Sequence, residues 1–113
     1  LLIDVARRFH RVDEIESTLD KMEYLKLNCL HLHLSDDQGF SIESKKFPKL
    51  NADASSGGKY FTQDQMKKLI KYADDRAIRI VPEFDVPGHS LAILVAYPQL
   101  AGLILYLFYN FIL

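Results

Sequence analysis

Three short apolar runs set the limits on what this chain can become: LLIDVA (1–6), KLNCLHLHL (26–34) and IRIVPEFDV (78–86). Each has the length and the branched, aliphatic character of a strand. Between the first two, Ile15, Leu19, Met22 and Leu25 recur at helical spacing. Asp13 stands ahead of them as a cap, with Glu16 three residues on, which predicts an amphipathic helix over 14–26. Before the third run, Thr62 and Gln65 fit a capping box, and Met66, Leu69, Ile70 and Ala73 line one face of a second helix. The stretch 35–61 holds Pro48 and the SSGG cluster at 55–58 and reads as a long loop. Strand, helix, strand, helix, strand is the order of an α/β protein whose parallel strands are joined by crossovers.

The runs end in polar residues. The first gives way to Arg7 and Arg8, the second to Ser35, Asp36 and Asp37, and the third to Glu83, Asp85 and, past Pro87-Gly88, His89. Parallel α/β proteins build their sites at the C-terminal ends of their strands, so these three ends are expected at one rim. Each candidate has a plainer reading beside the functional one. Asp36 and Asp37 are either a solvated, capping turn or carboxylates that hold a substrate group or orient a base. His31 and His33 share one face of a strand, either as hydrogen-bonded core histidines or as the start of a zinc site. His89 is a capping histidine or a working one. Arg7 is a surface cation or a fork that grips hydroxyls or a carboxylate. Lys45, Lys46, Lys49, Lys67, Lys68 and Lys71 read as solvated faces.

With 113 residues the chain is long enough for one domain with a core of its own. A formal net charge of −1 gives no reason to expect nucleic acid or an anionic membrane surface as a partner. Cys29 is the only cysteine, so no intrachain disulfide forms. The apolar start does not extend into a cleavable signal, because Asp4 and Arg7-Arg8 follow too soon. After Asp85 there is no further Asp, Glu, Lys or Arg, and 102–113, GLILYLFYNFIL, is nearly all apolar. The stretch 90–113 has the roughly 20 residues of a membrane span, interrupted by Pro98 and Gln99.

The segments LLIDVARRF, KLNCLHLHLSDDQGFSIESKKFPKL, GGKYFTQDQMKKLIKYADDRAIRIVPEFDVPGHS and AYPQLA, taken in order, resemble the first part of the catalytic domain of family 20 glycoside hydrolases, the β-N-acetylhexosaminidases. The resemblance implies an α/β fold made of the first three β/α units of a (β/α)8 TIM barrel, truncated, with residues 1–101 as the partial barrel and 102–113 as a tail outside it. It implies that Arg7 binds hydroxyls of the terminal N-acetylhexosamine. It further implies that Asp36 and His89 form a supporting relay toward a catalytic glutamate. The substrates it implies are N-acetylhexosamine-terminated glycans or chitin oligosaccharides, cleaved with retention by attack of the substrate's own acetamido oxygen. No metal or organic cofactor is needed, and family members are secreted, periplasmic or lysosomal.

The sequence also departs from that family. The Asp-Glu pair that orients the acetamide and protonates the leaving oxygen belongs to a later H-x-G-G-D-E motif, which is absent, and there is no tryptophan. Phe40 stands where the family often has Trp, Arg8 where His or another polar residue is common, and Ala77 where a helix-ending glycine is usual. A full barrel takes about 250 residues. The expectation is therefore a barrel segment that is inactive alone. Two other readings stand beside it: a non-catalytic, membrane-tethered remnant through 90–113, and a metal-dependent barrel hydrolase using His31 and His33.

Overall fold

A computed structural model describes residues 1–102. Its main sheet has three parallel strands in the order β1 (Leu2–Asp4), β2 (Cys29–His33), β5 (Arg79–Glu83), with α1 (Val12–Tyr24) and α3 (Gln63–Asp74) in the connections. This is the α/β alternation that the sequence predicts. Along β2 the period of two separates the faces. Leu30 and Leu32, followed by Leu34, are buried against the helices with Ile15, Leu19 and Met22 of α1 and Met66, Leu69 and Ala73 of α3. Burying each large aliphatic side chain of this kind stabilises the fold by about 1.5–3 kcal/mol.

The helix starts differ in one case. Thr62 and Gln65 form the predicted box: the Gln65 N–H donates to Thr62 Oγ1 (3.1 Å) and the Thr62 N–H to Gln65 Oε1 (2.8 Å). Asp13, by contrast, is not a cap. The first helix begins at Val12, the Arg11 N–H donates to the Glu14 carboxylate (2.7 Å), and Asp13 pairs with the Arg11 guanidinium. Two acids in the first turn suit the positive end of the helix dipole, which favours the earlier start.

The stretch 35–61 is more ordered than a long loop. It contains an antiparallel pair, β3 (Ser35–Asp36) with β4 (Gly39–Phe40), a one-turn helix α2 (Lys49–Ala52), and a 3-10 turn at Ser56–Gly58. Asp37 and Gln38 form the turn of that hairpin. Gly39 is there for space: a Cβ on it would lie 3.0 Å from Ser56 N and 3.2 Å from the Ala6 carbonyl oxygen. The hairpin thus presses directly on the chain leaving β1.

Both crossover helices turn into their strands through a left-handed residue. After α1 it is Lys26 (φ 58°), and after α3 it is Ala77 (φ 55°). The Ile78 N–H closes the second turn on the Ala73 carbonyl (2.9 Å). Alanine pays a steric cost there that glycine does not. Ala77 is exposed, so its methyl fills no part of the core. Ala77→Gly is therefore expected to raise unfolding stability by about 1 kcal/mol, read as a higher urea midpoint with unchanged slope.

The last described helix, α4 (Leu91–Ala96), is followed at Pro98–Leu100 by a 3-10 turn. Among the described residues no helix is long and apolar enough to cross a membrane. The rest of the 90–113 stretch, residues 103–113, lies outside the described residues.

Candidate functional site

The register of the sheet places Asp4, His33 and Glu83 abreast across the three strands. They share the face opposite the helices, at the C-terminal ends. Around this row the polar strand ends meet. Asp4 turns the chain back at the end of β1: Oδ1 accepts the N–H groups of Ala6 and Arg7 (both 3.0 Å), and Oδ2 accepts Arg7 Nη1 (2.6 Å). That leaves the other arm of the guanidinium to reach across, and Arg7 Nη2 lies 2.5 Å from Asp36 Oδ2. A planar fork bridging two carboxylates has its orientation fixed.

Asp36 is the hub. Its side chain is 1% exposed, yet four donors surround it. Oδ2 takes Arg7 Nη2 and His33 Nε2 (2.8 Å); Oδ1 takes the Asp37 N–H (2.6 Å) and His89 Nδ1 (3.3 Å). A carboxylate has about four lone-pair sites, and here all are used. Asp37 has the other job available to the pair. It is exposed, and its Oδ1 accepts the Leu91 N–H (3.0 Å), which pins the start of α4 just after His89. His89 itself sits at φ 56°, a left-handed conformation that is uncommon for a histidine. With Nδ1–H donating to Asp36, Nε2 has no hydrogen bond among the described residues.

Arg7, Asp36 and His89 are thus brought within hydrogen-bonding reach of one another, with Arg7 Nη2 also 3.4 Å from His89 Nδ1. Arg8 is exposed and outside this cluster, and the six lysines are exposed. Phe40 is buried and stacks on Phe84 at 5.8 Å between ring centres.

Two further residues complete the network: His33, which the sequence offers as a core histidine or the start of a zinc site, and Glu83, one of the polar ends of the third run. His33 is buried, with Nε2 on Asp36 and Nδ1 on Glu83 Oε1. The second oxygen of Glu83 pairs with His31 Nε2. His31 is partly exposed, so only one of the two histidines is a buried support. Both ring nitrogens of His33 face carboxylates, Asp36 on one side and Glu83 on the other. A signal was available in the sequence: Glu83 is the last residue of a strand that pairs in parallel with the HLH run.

The charge states follow from this packing. Burial works against ionising Asp36, but the hydrogen bonds from His33, the Asp37 N–H and His89, together with the Arg7 charge, outweigh it and hold its pKa below the usual carboxylate value. His33 goes the other way. Burial lowers its pKa, but the bonds to Asp36 and Glu83 and the charge of Asp4 raise it overall. The hydrogen bond from His33 holds Glu83 low, against its own partial desolvation.

These directions fix how stability varies with pH. The His33 contribution is complete below the free imidazole value of about 6.5 and is lost as pH rises through its higher folded value. The Asp36 and Glu83 contributions are complete above the free carboxylate values of about 4 and are lost as pH falls through their lower folded values. Urea midpoints measured from pH 3 to 9 should be highest between about pH 4.5 and 6.5. A midpoint still climbing between pH 7 and 8 would contradict the charge assignment of His33.

The profile "Glycosyl hydrolase family 20, catalytic domain" matches residues 1–104. A beta-hexosaminidase of Porphyromonas gingivalis is 40% identical over 108 residues, a match covering 88% of this chain and 14% of that protein. The beta-hexosaminidase subunit beta of Felis catus is 45% identical over 91 residues, covering 80% of this chain and 17% of the relative. Among solved structures, a Flavobacterium johnsoniae chitobiase superposes with a TM-score of 0.86 at 51% identity, covering 88% of this chain and 15% of that one. An N-acetyl-beta-hexosaminidase of Streptomyces plicatus, solved in complex with Thio-NAglucal, gives 0.81 at 40% identity, covering 88% and 21%. The chain therefore spans about a fifth or less of the length of these relatives.

Proposed function

This chain belongs to glycosyl hydrolase family 20, and we propose that it is the first part, through about residue 101, of a β-N-acetylhexosaminidase barrel. In this reading the parent enzyme releases terminal β-linked GlcNAc or GalNAc from glycans or chitin oligosaccharides. The observation that carries the proposal is the convergence of Arg7, Asp36 and His89 on one rim. Arg7 grips sugar hydroxyls with the fork that Asp4 and Asp36 hold in place. Asp36 fixes the Nδ1–H tautomer of His89, which leaves Nε2 to exchange a proton with an acid beside it.

The acid is a glutamate that protonates the leaving oxygen. Its neighbouring aspartate orients the acetamido group whose oxygen attacks the anomeric carbon. Neither is present here, since no Asp or Glu follows Asp85. The 113-residue chain by itself is therefore expected to show no turnover of an aryl N-acetyl-β-glucosaminide. The function is tested by grafting. Residues 1–101 replace the matching segment of the Porphyromonas gingivalis relative, and the chimaera is assayed on the same substrate. Hydrolysis that falls at least about 100-fold with His89→Ala supports the proposal. A folded chimaera without activity, or one indifferent to His89→Ala, overturns it.

A further inference from the structure

The pair of buried His33 and partly exposed Glu83 has no part in the proposed relay, yet its geometry demands an explanation. The two residues lie 50 positions apart in sequence and directly opposite each other in register. His33 fills the space between two carboxylates with no nitrogen left over. A side chain needed only for packing at that position would be apolar, as Leu30, Leu32 and Leu34 are on the other face of the same strand. We propose that His33 and Glu83 are positioning residues for the relay: Glu83 orients the His33 ring, and His33 in turn holds the Asp36 carboxylate so that its other oxygen stays on His89. The proposal rests on the hexosaminidase reading for what the relay serves, but not for the linkage itself.

The charged surroundings are consistent with such a chain of contacts. Asp4 and Arg7 face His33 from the end of β1, and Asp36 faces it from the hairpin. Glu83 and Asp85 approach from the end of β5, and His31 lies two residues back on its own strand. The His89 ring stands edge-on to the His33 ring, with centres 6.1 Å apart. The four carboxylates around the imidazole favour its doubly protonated form, against the single guanidinium of Arg7. That form is also the only one in which both nitrogens donate to Asp36 and Glu83.

Imidazole and carboxyl NMR on the intact 113-residue chain tests this. Two-dimensional long-range proton–nitrogen spectra should show both His33 nitrogens protonated at pH 7. In Glu83→Gln, which keeps the shape and the accepting oxygen but removes the charge, the His33 midpoint should fall by about one pH unit and the Asp36 carboxyl titration should move up. Loss of a packing contact alone would not move Asp36, which Glu83 does not touch. A singly protonated His33 in the unsubstituted protein at pH 7, or an Asp36 titration unmoved by Glu83→Gln, overturns the proposal. If Glu83→Gln does not fold, the protonation of His33 in the unsubstituted chain decides alone. Hydrolysis enters none of these readouts, so failure of the glycosidase reading in the chimaera remains distinguishable from failure here.

Discussion

Replacing Asp36 with asparagine is expected to cost about 3–5 kcal/mol of unfolding stability at pH 7, the range for breaking a buried ion pair from one side. Asparagine is nearly the same size, so no cavity forms. What changes is the chemistry facing four donors. One carboxylate oxygen becomes an NH2 group that must point at donors: either at Arg7 Nη2 and His33 Nε2, or at the Asp37 N–H and His89 Nδ1. Neither flip satisfies both sets, and the Arg7 and His33 charges lose the anion that they share. His33 recovers part of the loss by shedding its proton, which places the result toward the lower end at high pH. The comparison is Asp37→Asn. That side chain is exposed and holds only the Leu91 N–H, which an asparagine oxygen can also accept, so less than about 0.5 kcal/mol is expected. Urea unfolding of both variants measures the contrast. Equal losses for the two aspartates would mean that the network around Asp36 does not hold the rim together.

The elements that can be read from sequence are those whose period is long enough to register. The two crossover helices show it in Ile15, Leu19 and Met22 and in Met66, Leu69 and Ala73, all buried at the expected spacing, whereas Leu25, just past the end of α1, and Ile70, at the edge of the α3 stripe, are exposed. The hairpin was not legible because each of its strands has two residues, too few to show any alternation. What forms it is tertiary: the Phe40 N–H donates to the Ala54 carbonyl (2.9 Å), Ser41 Oγ donates to the Val5 carbonyl (2.9 Å), and Gly39 clears Ser56. The start of α1 at Val12 likewise rests on a contact outside the apolar period, the Arg11 N–H donating to the Glu14 carboxylate.

The candidate site divides in the same manner. Arg7, Asp36 and His89 stand at strand ends and in family-like motifs, so sequence alone singles them out. Glu83 and His33 needed the register. Once Cys29 lies opposite Arg79, His33 must lie opposite Glu83, and Asp4 falls into the same row from β1. The ladder makes neighbours of three polar residues that lie far apart in sequence. The H-x-H pair looks symmetrical on paper, yet His33 is enclosed by the hairpin and His31 is left at the open face.

Phe61→Ala is expected to remove about 3–5 kcal/mol, as for other large aromatic residues deleted from a core, and to loosen the rim selectively. Phe61 is fully buried, and its ring centre lies 4.8 Å from that of Phe9. Phe9 closes the segment that begins with Arg7 and Arg8, so its anchorage limits how far the Arg7 backbone wanders. Phe61 also ties the middle of the chain to the sheet side. Its N–H donates to the Ser41 carbonyl (3.0 Å), its own carbonyl accepts the Glu43 N–H (2.7 Å), and Ser41 holds Val5. Truncating the ring leaves those backbone bonds available while removing the surface on which Phe9 rests. Native-state trypsin digestion separates the local effect from the global one. Cleavage after Arg7 and Arg8 should accelerate more than cleavage after Lys67 and Lys68, which lie exposed on the middle of α3. Equal acceleration at both places would show that the aromatic pair supports only overall stability and that Arg7 is held by its two carboxylates alone.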